Sequence, residues 1–314
     1  MVTRRSLLQL PFAALIPKPR SASLDAMQQV MGPLPPRPKQ PPAIQSLDSQ
    51  DTPNYTRRKI RYEAEPNDFV PAWLLIPKIT SKTKLPAVVC LHQTTRIGKD
   101  EPAGLGGKPN LHYAHELAEQ GFLTIAPDYP NFGEYTFDPY THGYLSASMK
   151  GIVNHMRAVD LLLSLPNVDP RRIAVCGHSL GGHNSLFVAA FDTRIRCAIT
   201  SCGFTAFPKY YNGNLTGWSH KGYMPRIADA YGKDPAKMPF DFPDVLAAIA
   251  PRAVFINAPT RDSNFEISGV VDCVRATSKL FPSNRLRAVY PEAAHDFPPE
   301  IRREAYGFLK QLAV

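Results

Sequence analysis

Cysteine is sparse in this 314-residue chain, and none precedes Cys90, which excludes a lipid-anchoring cysteine near the N-terminus. The five cysteines are an odd number, so no disulfide framework is indicated. Cys90 and Cys176 fall in β-branched apolar runs, where a thiol serves as a small apolar group; whether Cys197 and Cys202 pair is left open. No apolar run after the N-terminal segment approaches the ~20 residues that cross a bilayer. No Lys/Arg-rich run is interleaved with aromatics, so the formal charge of +9 does not point to nucleic acid. Among nine histidines no pair has metal-ligand spacing, so neither a metal nor another cofactor is expected. No internal repeat is evident.

What is there begins at the N-terminus. Thr3-Arg4-Arg5-Ser6-Leu7-Leu8 leads a short apolar stretch to Ile16, then Lys18-Pro-Arg20-Ser-Ala-Ser23. Paired arginines, a short apolar region and small residues at Ser21 and Ser23 predict a twin-arginine export signal over 1–23, and hence a periplasmic or secreted protein. Its four basic residues account for much of the charge, which falls to +5 without them. Six prolines between Gly32 and Pro42 predict a polyproline-like linker over 24–54. With 44% apolar and 20% charged residues, the remainder, 55–314, has the composition of one globular domain with one large core. Tyr55 to Ala64 and Phe69 to Ile76 flank Glu-Pro-Asn-Asp and predict an edge hairpin. Later strands alternate with helices, the pattern of a parallel sheet covered on both faces.

Val-Cys-Gly-His-Ser-Leu-Gly-Gly, Val175 to Gly182, follows a β-branched run and opens an apolar segment from Leu186 to Phe191. Strand, sharp turn and helix in that order form a nucleophile elbow, with Gly177 and Gly181 allowing close backbone approach while Ser179 is exposed at the tip. A serine needs a base to take its proton and an acid to hold that base. Asp262 follows the predicted strand Ala253 to Asn257, and His295 follows the predicted strand Leu286 to Tyr290. Both thus lie where open α/β sheets place their sites.

On the elbow, on Ala87-Val-Val-Cys-Leu-His-Gln-Thr, on Leu123-Thr-Ile-Ala-Pro-Asp-Tyr and on the final His-Asp-Phe-Pro, the chain resembles the α/β-hydrolase superfamily over residues 55 to 314. Within it, the resemblance is to dienelactone-hydrolase-like and acetyl-xylan-esterase-like serine esterases related to the prolyl oligopeptidase catalytic domain. It departs in having Ser179 where dienelactone hydrolases use cysteine, and His92-Gln93 in place of the usual His-Gly. The resemblance implies an α/β-hydrolase fold with a cap insertion, and a triad of Ser179, Asp262 and His295. It implies an oxyanion hole from the amides of Leu180 and Thr94, with Gln93 the alternate. It implies cleavage of carboxylic esters through an acyl-enzyme, of small molecules or of carbohydrates, with carbohydrate-linked acetyl or aromatic esters the expected substrates. Alternatives are a serine peptidase of prolyl-oligopeptidase type and an inactive binding protein on the same fold.

Rival residues weigh less. His178 and His183 are expected to pack beside the nucleophile, His92 to hydrogen-bond neighbouring loops, and His112 and His115 to lie on a surface helix. Asp272 competes with Asp262, but its segment, Gly269 to Leu280, reads as a helix that carries it from the strand end; Asp296 is expected to point elsewhere. The cap, about 204–243, is rich in aromatics, most of which should pack it to the body. Trp218 and Tyr211 are the expected exposed substrate contacts. The acyl and alcohol groups and the oligomeric state are not legible.

Overall fold

A computed structural model describes residues 16–79 and 84–312. Nine strands form one sheet: β1 Ile44–Asp51, β2 Tyr55–Glu65, β3 Asp68–Pro77, β4 Leu85–Leu91, β5 Leu123–Pro127, β6 Val168–His178, β7 Ile195–Ser201, β8 Ala253–Asn257 and β9 Leu286–Val289. Eight α-helices cover it: α1 Arg20–Met31, α2 Tyr113–Glu119, α3 Ala147–Ser164, α4 Leu180–Phe191, α5 Arg226–Asp229, α6 Phe242–Ile249, α7 Ile267–Thr277 and α8 Pro299–Leu312. The strand order is β1-β2-β3-β5-β4-β6-β7-β8-β9. Pairings from β1 through β3 to β5 are antiparallel and the rest are parallel. β4, β5, β7 and β8 are almost wholly buried, as continuous apolar strands require when helices lie on both faces, while the edge strand β9 stays partly exposed. This is the α/β-hydrolase architecture expected from the sequence.

Register sets the site. His178 of β6 lies beside Ser201 of β7, Ser201 beside Asn257 of β8, and Asn257 beside Val289 of β9. One rung therefore crosses four strands at their carboxyl ends, and the loops just beyond it carry Ser179, Asp262 and His295.

The N-terminal third differs from expectation in two places. The predicted linker contains a helix, α1, whose Ala26, Met27, Val30 and Met31 are buried in the main core, and an added edge strand, β1. The prolines break structure only between them. The β2–β3 hairpin consequently sits one strand in from the edge. Of the predicted export signal, residues 1–15 lie outside the described residues. The described part is docked: Arg20 donates to the carbonyls of Ala190 and Ala248 at the ends of α4 and α6, Lys18 pairs with Asp244, and Ser23 is fully buried. The proposed cut after Ser23 would thus fall inside the first turn of α1. All five cysteines are buried and unpaired.

Candidate active site

The elbow is built by absence of side chains. A Cβ on Gly181 would stand 1.9 Å from the carbonyl oxygen of Leu91, and one on Gly177 would stand 2.2 Å from that of Gly181. Neither backbone can yield, so α4 can rest on β4 and β6 only with glycine at both positions. Ser179 itself takes φ 53° and ψ −114°, a conformation that L residues with a Cβ rarely adopt, held by its N–H donating to Ser201 O at 2.8 Å. It is half-buried between the fully buried His178 and Leu180. The N–H of Leu180 opens α4 and has no partner within the helix, as at any helix start.

His295 and Asp262 are brought together as expected, with Nδ1 2.9 and 3.0 Å from the two carboxylate oxygens. Asp262 Oδ1 also accepts from the backbone N–H groups of Asn264 and Phe265. A carboxylate that only accepts requires Nδ1 to carry the proton, which leaves the lone pair on Nε2. The Asp262 side chain is 1% exposed and that of His295 16%, so the acid is shielded while the imidazole reaches the surface. Asp272 lies on α7 and pairs with Arg275 there, and the Asp296 side chain accepts from Asn110; neither competes for His295.

The loop after β4 is fixed from both sides. His92, buried, sends Nδ1 to Gln93 O at 2.6 Å and receives the Tyr129 N–H on Nε2 at 2.9 Å, an arrangement that needs neutral imidazole. Burial accordingly holds its protonation below the ordinary range. Lys99, wholly buried, pairs with Asp128 at 3.1 Å, and the Lys99 N–H donates to the same carboxylate. Thr94 is exposed, its hydroxyl 3.3 Å from that of Tyr223 in the insertion. The Gln93 side chain donates one of its two N–H groups to Glu101 at 3.0 Å.

The insertion between β7 and β8 is a run of short turns of helix plus α5 and α6. Trp218 is not the exposed contact expected of it: at 3% exposure it packs against His183, Phe207, Tyr210, Tyr223, Phe242 and Phe265, filling the joint between insertion and body. Tyr211 is 54% exposed, with its hydroxyl donating to Asn264, two residues from Asp262.

Sequence reasoning missed the layer beneath the pair. His178 Nδ1 lies 2.9 Å from Ser201 Oγ, which accepts from Asn257 Nδ2; the same amide nitrogen donates to Asp296 O. Cys202, at φ 48°, directs its thiol to that carbonyl too. Four buried groups thereby anchor the turn that carries His295. Their only sequence signal is position: each ends, or immediately follows, a strand that feeds the site. A cavity of about 740 Å³ lies elsewhere, lined by the β2–β3 turn and the 134–142 loop. Its buried carboxylate, Asp68, is already paired with Lys150 and with the Tyr135 hydroxyl, so volume does not mark the chemistry here.

The family model for fungal glucuronyl esterases matches residues 141–283, which include the elbow and Asp262. Quorum-quenching protein AidA of Acinetobacter baumannii is 25% identical over 196 residues, 59% of this chain and 57% of that protein. The match thus spans little more than half of that relative. A glucuronoyl esterase from Solibacter usitatus superposes with TM-score 0.72 over 93% of this chain and 92% of its own, at 16% identity. Acetyl xylan esterase 1 of a Thermoanaerobacterium species superposes with TM-score 0.64 over 96% of each chain, also at 16% identity. At such identities superposition speaks for the fold. With the sheet order, it gives the chain the α/β-hydrolase fold, the fold of these carbohydrate esterases.

Proposed function

We propose that the protein is a carboxylic ester hydrolase that works through an acyl-enzyme. Ser179 Oγ attacks the ester carbonyl carbon, His295 Nε2 takes the hydroxyl proton and returns it to the leaving alcohol, and Asp262 holds the imidazole in the required tautomer. Water then repeats the sequence to free the acid. The developing oxyanion is received by the N–H groups of Leu180 and Thr94. The observation that carries this reading is the strained, half-exposed Ser179 on an elbow that tolerates only glycine around it, on the same sheet end as the His295–Asp262 pair.

Carbohydrate-linked esters are the substrates favoured, on the likeness to glucuronoyl and acetyl xylan esterases. Tyr211, exposed and hydrogen-bonded to Asn264, is the aromatic we assign to meet them. Export by the twin-arginine route is retained, with the cut N-terminal to Lys18 so that the contacts of Lys18 and Arg20 survive.

The test is reaction with a fluorophosphonate probe and peptide mapping, beside hydrolysis of p-nitrophenyl acetate, acetylated xylan and a glucuronate ester. Labelling at Ser179, with turnover abolished in Ser179→Ala, is expected. An unlabelled elbow with turnover unaltered in the variant overturns the mechanism. Sugar esters turned over no faster than p-nitrophenyl acetate overturn the substrate class alone.

A further inference from the structure

Three soft metal-binding groups converge beside the proposed catalytic pair, though they are far apart in sequence. A ring nitrogen of His178, Cys202 Sγ and a ring nitrogen of His295 lie within 4.8 Å of one another. Each histidine already has Nδ1 held by an oxygen, His178 by Ser201 Oγ at 2.9 Å and His295 by Asp262 at 2.9 Å. Metal-ligating histidines are held in this way, with the second nitrogen fixed by an outer oxygen partner. His178 Nε2 is buried and has no hydrogen-bond partner among the described residues. That is an unusual expense for a fully buried polar atom and leaves a lone pair available.

We propose that His178, Cys202 and His295 form an inhibitory site for a thiophilic divalent cation, zinc above all, which shares His295 with ester hydrolysis. Zinc bonds of about 2.0–2.1 Å to nitrogen and 2.3 Å to sulfur place tetrahedral ligand atoms roughly 3.5 Å apart. The triangle therefore has to contract by about 1 Å at its widest. His295 supplies that movement, being in a loop and partly exposed, whereas His178 is fixed in its strand. On binding, the Cys202 S–H bond breaks and a sulfur–zinc bond forms; the proton leaves to solvent and the hydrogen bond to Asp296 O is lost. Both imidazoles donate lone pairs as neutral ligands, and water fills the fourth position. Burial disfavours charge on His178, which suits a neutral ligand. With either ring nitrogen of His295 on the metal, the neutral imidazole has no free lone pair left to take the Ser179 proton.

The inhibitory consequence rests on His295 serving as base, but occupancy does not, so two readouts separate them. Co²⁺ added to the full chain is expected to give thiolate-to-cobalt charge-transfer absorption in the near ultraviolet, absent in Cys202→Ser and in His178→Gln. Zn²⁺ is expected to slow p-nitrophenyl acetate hydrolysis, with reversal by EDTA. Cys202→Ser should need at least about tenfold more Zn²⁺ for the same fractional inhibition, each protein normalised to its own metal-free rate. No charge-transfer band in the wild-type chain, or equal Zn²⁺ sensitivity of the variant, overturns the site. If Cys202→Ser does not fold by circular dichroism, the wild-type cobalt spectrum and His178→Gln decide it. A band with no metal-free turnover upholds the site and overturns the esterase reading instead.

Discussion

At Ser179 the backbone and the chemistry make opposing demands. A positive φ in a residue with a Cβ costs about 1–3 kcal/mol, and glycine would avoid most of it. Ser179→Gly and Ser179→Ala should both be inactive, yet the glycine variant should be the more stable by about 1 kcal/mol, read as a higher urea midpoint at unchanged slope. Equal midpoints would mean that the turn carries no strain. Asp262→Asn should keep the fold and cut kcat by roughly 10⁴, because the amide can present its N–H to Nδ1 and so select the unproductive tautomer. The placement of Ser179, Asp262 and His295 at one sheet end, with Asp262 on His295, was legible because each follows a strand that the sequence marks by its apolar run. The Trp218 environment was not: an aromatic in an insertion reads the same in sequence whether it faces solvent or seals the joint, and here six neighbouring rings took it inward. Cys202 and Asn257 were invisible for a different reason, since their roles come from cross-strand register.

Among elements, the parallel strands from β4 to β9 follow from their apolar runs, and β8 has the boundaries read from sequence. α1 was obscured by its surroundings. Its apolar positions, Ala26, Met27, Val30 and Met31, keep helical spacing, but Ser21-Ala-Ser23 also fits a processing site and the prolines beyond Gly32 suggest an unstructured spacer. What anchors α1 is tertiary: the Arg20 guanidinium meets two carbonyls that α4 and α6 cannot satisfy themselves. Removing residues 1–23 should therefore cost about 3–6 kcal/mol relative to removing 1–17, since the two hydrogen bonds from the charged Arg20 donor contribute about 1.5–3 kcal/mol each. Comparing the two truncations by thermal melting checks this. Equal melting temperatures would show that the first turn of α1 contributes nothing.

For the whole molecule, buried histidines set the response to acid. Burial lowers His92 and, much further, His178, and brings His155 and His183 down to about 3. Unfolded, each takes a proton below about pH 6.5, so their contribution is complete above that pH and is lost on acidification towards 3. The loss is at most about 1.4 kcal/mol per pH unit for each. Asp241, pushed up to about 7 by burial, has the opposite sign, losing stability as pH rises between about 4 and 7. Four groups against one make stability fall from pH 7 to pH 5, and His183→Phe should flatten the slope, as urea midpoints across that range will show. One last consequence concerns the insertion between β7 and β8. Its turn at Gly232 and Lys233 is exposed, and a Cβ on Gly232 would meet no neighbour. Ser179 precedes that turn, and Asp262 and His295 follow it. A chain divided there yields two inert halves whose recovered turnover would report their reassembly, which makes the protein a candidate split reporter.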